Sequence, residues 1–311
     1  MSTIFSKTLI AGTLMLASVP LSSGQLHADE YQKGAVELHL ESGMDAYYTK
    51  YNFDKTRDEN DVLNGEGYAL MSGYLTLDAR RYLSDSVYLA PFVSINVIHD
   101  FNDRSWNRSY WNNNQVFGAG LKITKEFSFE NKAQEWVGGM NMSAFARYEL
   151  MTSSFDRSKD PIPSSVDKQN VKSGVNLWLE RREKLDDMFS VWTEHWGELA
   201  WNSTAFSDKG QDNFLLGTLS SKIGVGIDLG AVSLEPYFKA DVVNDFLGRS
   251  WNKVSWYNNV LYGPGVRLAL GKVLPGTVSI YAEYLKVDYF NDQQERTDDV
   301  RAGLTFWIPL Y

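Results

Sequence analysis

Trp, Asn and Arg recur at the same spacing in two segments of the chain. Arg104–Gly120 reads RSWNRSYWNNNQVFGAG and Arg249–Gly265 reads RSWNKVSWYNNVLYGPG, with nine of these seventeen positions identical. A Trp ring can stack on a pyranose ring, and Asn and Arg can hydrogen-bond its hydroxyl groups. The candidate ligand-binding residues are therefore Trp106, Asn107, Trp111, Asn113, Trp251, Asn252, Trp256 and Asn258. The alternative is that they only hold loops at a membrane interface, where aromatic residues are common.

The similarity between these segments extends beyond the shared motif. Residues 87–126 are repeated at 231–271, and Val87, Leu89 and Pro91 recur as Val232, Leu234 and Pro236. Such self-similarity indicates an internal duplication. The offset of 145 residues, from Arg104 to Arg249, is close to half of the chain. We therefore expect two halves of equal strand number, with the repeated segments on opposite walls of the fold.

The elements that carry these residues show an alternation of apolar and polar side chains. In 232–246, for example, Leu234, Phe238 and Val242 alternate with charged or polar residues. A period of two predicts strands with two chemically different faces. Twelve such runs are predicted, at 35–51, 67–83, 87–102, 113–126, 136–152, 171–183, 189–206, 213–229, 231–246, 257–271, 277–290 and 299–311.

The connections between these strands alternate between short and long. Ser84–Ser86 and Gly230 are short, for example, whereas Asn52–Glu66 and Ser153–Asn170 are long. This pattern is typical of outer-membrane barrels, and the predicted strands are longer than the usual strands of soluble sandwiches or propellers. The sequence predicts an all-β, transmembrane, antiparallel up-and-down β-barrel of about 12 strands, built from two duplicated six-stranded halves. A barrel of fourteen or sixteen strands is also compatible with the sequence.

If the apolar face meets lipid, the opposite face lines the lumen. We expect the charges of that lumen to include Lys122, Arg147, Lys239, Asp241, Arg267 and Glu283. Charges at this density need water or partners of opposite sign, because an unpaired buried charge is costly. A water-filled polar passage and a closed interior held by ion pairs both satisfy that requirement.

The remaining residue types argue against catalysis. His99-Asp100 has a counterpart in Asn244-Asp245, so the repeat explains the Asp without a catalytic role. We expect no Ser neighbour for His195 in Thr193-Glu194-His195-Trp196, and Glu194 should point to the opposite face. The spacing of a zinc hydrolase is absent, and with no Cys the chain offers neither a thiolate ligand nor a disulfide. We expect no enzyme, no metal and no cofactor.

The first residues predict export from the cytoplasm. Lys7 precedes an apolar run over residues 8–21 and a group of small residues, which is the pattern of a signal peptide at residues 1–24 with cleavage after Gly24 or Ala28. The mature barrel would then occupy residues 25–311. An even strand number places both termini at the periplasmic end, in the outer membrane of a Gram-negative bacterium. The formal net charge of −9 argues against a nucleic-acid partner.

The segment Tyr257–Tyr284, with YNNVLYGPGVRLALG and SIYAEY, resembles the barrels of exopolysaccharide-secretion porins of the poly-N-acetylglucosamine and cellulose export type. The resemblance implies an outer-membrane channel that passes or exports a polysaccharide or oligosaccharide. Its partners would be outer-membrane lipid, the glycan chain, and a separate periplasmic scaffold or the polysaccharide synthesis machinery. The alternatives are a general solute-uptake porin and an outer-membrane barrel hydrolase.

Overall fold

The computed structural model describes residues 36–49, 68–101, 113–131, 136–153, 168–204, 206, 213–248, 258–270, 277–290 and 297–310. These residues form twelve strands: β1 Val36–Thr49, β2 Tyr68–Ser84, β3 Val87–Asp100, β4 Asn114–Asn131, β5 Trp136–Ser153, β6 Gln169–Lys184, β7 Phe189–Asn202, β8 Phe214–Asp228, β9 Ser233–Asp245, β10 Asn258–Ala269, β11 Thr277–Tyr289 and β12 Thr297–Leu310. Within the described ranges, no helix has the length and apolar character needed to cross a membrane.

The twelve described strands form one closed antiparallel sheet. Each strand pairs with its neighbours in sequence, and β1 also pairs with β12. Tyr47, for example, lies opposite Leu70 of β2 and Gly303 of β12. The prediction of an all-β, up-and-down barrel of about twelve strands is therefore confirmed.

The predicted strand bounds differ most at β4. The sequence predicted that this strand would end at residue 126, but it continues to Asn131. The added residues pair with the start of β5, with Phe127 opposite Met140 and Asn131 opposite Trp136. The hairpin is longer than predicted because each added residue gains a ladder partner on β5.

The two faces of the barrel wall differ as the alternation predicted. On β8, Leu219 and Ile223 are exposed on the outer face, whereas Ser220 and Lys222 lie on the inner face. On the other strands most of the exposed large apolar side chains also lie outside, and most of the ion-paired side chains lie inside. Exposed apolar surface of this extent indicates contact with another apolar phase or molecule.

The repeated segments lie on opposite walls. One forms β3 and β4 and the other β9 and β10, six strands apart around the barrel. The backbone N–H of Asp100 donates to Oδ1 of Asn113 at 3.0 Å, and that of Asp245 donates to Oδ1 of Asn258 at 3.4 Å. The same contact therefore recurs at equivalent positions of both segments, as a duplication would produce.

Two ends of the barrel can be distinguished. The tight connections at 85–86, 185–188 and 229–232 lie at the same end as the first residue of β1 and the last residue of β12. Gly230 has a φ of 89° in one of these connections, a conformation that favours glycine over residues with a Cβ. We call this end the turn end.

Candidate functional site

All six predicted lumen charges lie on the inner face of the barrel. Register and alternation place them there from five different strands: Lys122 on β4, Arg147 on β5, Lys239 and Asp241 on β9, Arg267 on β10, and Glu283 on β11. Each of the six forms at least one ion pair. The inner face is therefore a network of paired charges.

One group of paired charges is centred on Asp78 of β2, whose side chain is buried. Its Oδ2 lies 2.6 Å from Nζ of Lys122, and its Oδ1 lies 2.9 Å from Nε of Arg80. Arg80 also contacts Nδ1 of His39 at 2.9 Å and lies over the ring of Tyr88. One carboxylate thus joins β2 and β4 across the intervening strand β3.

A second group is centred on the buried carboxylate of Glu235 on β9. It binds the guanidinium groups of Arg267 and Arg182, the latter at 2.6 Å. Arg267 also lies 2.7 Å from Glu194 and stacks over the ring of Trp192, with its Cζ 4.0 Å from the ring centroid. This group joins the four strands β6, β7, β9 and β10.

A third group follows β9 and β11. Nζ of Lys239 lies 3.1 Å from Asp241 and 3.2 Å from Glu283. The Tyr237 hydroxyl donates to Glu283 at 2.7 Å, and its ring occupies the space that a Cβ at Gly265 would need. On the other side of the barrel, Arg147 pairs with Glu149 and Lys172 with Glu198, both at 2.6 Å. The inner charges therefore pair around most of the circumference.

This pairing limits what the two equivalent cations can bind. Lys122 and Arg267 occupy matching positions in the repeat, but each has a carboxylate within 2.7 Å. A second anion would have to compete with that partner. Their charges consequently contribute to the electrostatic potential of the lumen, but they do not form a free anion-binding site.

One patch of the inner face is open to solvent. Trp178 of β6 lies directly opposite Trp196 of β7, and their exposed fractions are 41% and 39%. Asn141 of β5 is paired with Trp178 and is exposed, as is Glu180. We call Asn141, Trp178, Glu180 and Trp196 the inner tryptophan patch. The sequence analysis did not predict this patch, although both Trp residues fall on the polar face of their strands.

The loop residues predicted to bind a ligand are only partly described. Trp106, Asn107, Trp111, Trp251, Asn252 and Trp256 lie outside the described residues. Asn113 and Asn258 are buried, and their side-chain oxygens accept the N–H groups of Asp100 and Asp245. In the described strands these two Asn residues therefore stabilise strand ends.

His195 differs from its prediction in one respect. It does have a Ser neighbour, because Nδ1 lies 3.0 Å from Oγ of Ser221 on the adjacent strand. Its Nε2 contacts the Thr193 hydroxyl. The prediction failed because Ser221 is close only through strand pairing. Glu194 does point to the opposite face, as predicted.

His99 lies on the outer face, where its ring packs edge-on against Phe101. Asp100, the next residue, points inward, since adjacent residues of a strand face opposite sides. Among the described residues, no group of three or more His, Asp or Glu side chains could hold a metal ion.

The chain matches no family model and no curated protein. Solved structures to which it is similar include the translocator domain of the autotransporter NalP from Neisseria meningitidis, with 12% identity, coverage of 98% of this chain and 97% of that one, and a TM-score of 0.36. The outer membrane channel DcaP of Acinetobacter baumannii has 9% identity, coverage of 92% and 100%, and a TM-score of 0.36. LpxR from Salmonella typhimurium has 9% identity, coverage of 85% and 99%, and a TM-score of 0.37. Values this low give no grounds for transferring a role to this chain.

Proposed function

We propose that the protein is an outer-membrane channel whose polar lumen passes a glycan. The observation that carries the proposal is the division of one closed wall into an apolar outer face and a charged inner face. On β8 this division separates neighbouring residues, with Leu219 exposed outside and Ser220 inside. A closed sheet can cross a bilayer because its backbone groups pair within the sheet.

The dimensions of the strands support a membrane position. They run from 12 residues in β10 to 18 in β4 and β5. A tilted strand needs about 9–11 residues to span the hydrocarbon layer. Each described strand is therefore long enough to cross the hydrocarbon layer.

The lumen supports passage of a polar cargo. Most of its described charges are paired, and the wall is still solvent-exposed at Trp178, Glu180 and Trp196. A conducting pore has to bind its cargo weakly enough to release it. Paired charges with exposed rings provide such a surface. The choice of a glycan as cargo rests on the repeated loop motifs and on the resemblance to secretion porins.

The proposed orientation puts the turn end in the periplasm, with a separate scaffold protein there for an exported chain. A general solute-uptake porin is the second candidate, and it is favoured by a network of ion pairs that commits the lumen to no single solute. We infer no catalytic role for the chain.

Flux from liposomes tests the proposal and separates the two candidates. Purified barrel is reconstituted into vesicles loaded with glucose or with cellohexaose, and release is followed against vesicles without protein. Release of both sugars supports a glycan channel, whereas release of glucose alone favours solute uptake. Retention of both sugars by correctly folded barrel would overturn both candidates.

A further inference from the structure

We propose that the inner tryptophan patch is a binding subsite for uncharged saccharide rings; this rests on the proposed glycan channel and names the place where the glycan is held. The subsite is separate from the repeated loops. It is built by β5, β6 and β7, whereas the repeated segments form β3, β4, β9 and β10.

Three residues of the patch form one continuous row across the sheet, and the row ends at Ser220 of β8. Asn141 pairs with Trp178, Trp178 with Trp196, and Trp196 with Ser220. Side chains directly opposite each other on antiparallel strands have Cβ atoms about 4.5–5.5 Å apart. The two indole groups are therefore neighbours on one surface, with an amide at one end of the row and a hydroxyl at the other.

Solvent reaches this row from the turn end. Along the inner face of β6, four successive inward side chains are exposed: Lys184, Arg182, Glu180 and Trp178. Other exposed side chains of the described inner face lie at or near strand ends, as Glu37, Thr277 and Trp307 do. Trp178 and Trp196 lie six and seven residues from the turn end of β6 and β7. They therefore lie deeper in the lumen than these other exposed side chains.

An exposed Trp pair inside a channel requires a reason. Trp192, on the same strand as Trp196, is by contrast buried beneath the guanidinium of Arg267. Trp178 and Trp196 keep apolar ring surface in contact with water, which a stacked pyranose would remove. Asn141 can donate to and accept from sugar hydroxyls beside them.

The charge around the patch defines the ligand class. Glu180 lies directly opposite Glu194, two residues along from the Trp pair, and Glu198 follows on the other side. Glu194 and Glu198 have cationic partners, but Glu180 is exposed beside them. Because Glu194 and Glu198 are paired with cations, Glu180 is the carboxylate beside the Trp pair that repels an anion, and the subsite therefore favours neutral sugars over sugar acids.

Binding to the refolded full-length barrel, measured by calorimetry, tests the subsite. Cellohexaose is the neutral probe and hexagalacturonate the anionic one. We expect Trp178→Ala and Trp196→Ala each to weaken cellohexaose binding about tenfold, Trp178→Tyr to retain most of it, and Trp307→Phe, an exposed inner control, to leave it unchanged. Glu180→Gln should strengthen hexagalacturonate binding about threefold. Heat-modifiable gel migration verifies that each variant has folded.

The outcomes separate this subsite from the channel itself. If the wild-type barrel conducts ions but binds no cellohexaose, or if both Trp→Ala variants bind it as well as wild type, the subsite is wrong and the channel stands. If cellohexaose binds through the two Trp residues and the barrel does not conduct, the subsite stands and the channel is wrong. Equal loss of binding in Trp307→Phe would also overturn the subsite.

Discussion

Nζ of Lys122 lies 2.6 Å from Oδ2 of Asp78, although the two residues are separated by a whole strand of the sheet. The contact crosses the inner face from β4 to β2, and Arg80 binds the other oxygen of the same carboxylate. Asp78 thus holds two cations that would otherwise repel each other. The stability of this part of the wall should depend on one buried acid.

We expect Asp78→Ala to lower the free energy of unfolding by about 2 kcal/mol, less than for a fully buried ion pair because Lys122 and Arg80 keep some contact with water. Urea unfolding in detergent, followed by Trp fluorescence, measures the change. Asp85→Ala, in the exposed connection between β2 and β3, is the matched control and should have little effect. Equal midpoints for Asp78→Ala and wild type would contradict the role of this carboxylate.

The two faces of the wall should tolerate charge very differently. Leu219→Arg puts a cation on the outer face, where it would cost about 2–4 kcal/mol at the middle of a bilayer, whereas Ser220→Arg puts it on the inner face beside Asp241. Assembly in lipid vesicles, scored by heat-modifiable migration, should fall only for Leu219→Arg. The opposite order would show that the faces have been assigned the wrong way round.

More of the fold than of the candidate site could be predicted from the sequence. Alternation is a local property, so the strands and their faces followed from neighbours such as Leu219 and Ser220. Trp178 and Trp196 are eighteen residues apart in the sequence, and only the strand register makes them adjacent. Ser221 approaches His195 in the same way, and no spacing rule along the chain predicts either pair.

Sugar binding by the repeated loops stays a prediction, and substitution tests it directly. We expect Trp106→Ala with Trp111→Ala, and likewise Trp251→Ala with Trp256→Ala, to reduce cellohexaose flux from liposomes while leaving assembly intact, since a stacking surface would be lost. Replacement of the same residues by Tyr should preserve part of the flux. Unchanged flux with all four Trp residues replaced by Ala would favour an interface anchor instead.

The proposed orientation can be tested by labelling, because the chain contains no Cys. A membrane-impermeant maleimide on intact cells should modify Asn60→Cys and Ser164→Cys, which lie in the predicted long connections. It should not reach Ser86→Cys at the turn end until the outer membrane is permeabilised. Labelling of Ser86→Cys alone on intact cells would reverse the orientation.

The conductance of the purified barrel in a planar bilayer, with the reversal potential recorded in a KCl gradient, tests whether the barrel is an open channel. A wet lumen rich in carboxylates should give steady channel currents that favour K⁺, and Lys122→Glu with Arg267→Glu should shift the reversal potential further toward cation selectivity. Lys184→Glu, at the turn end of β6, should change it little. Folded, heat-modifiable barrel that inserts but passes no current, or a reversal potential unmoved by the paired substitutions, would show that the lumen is not a conducting channel lined by these charges.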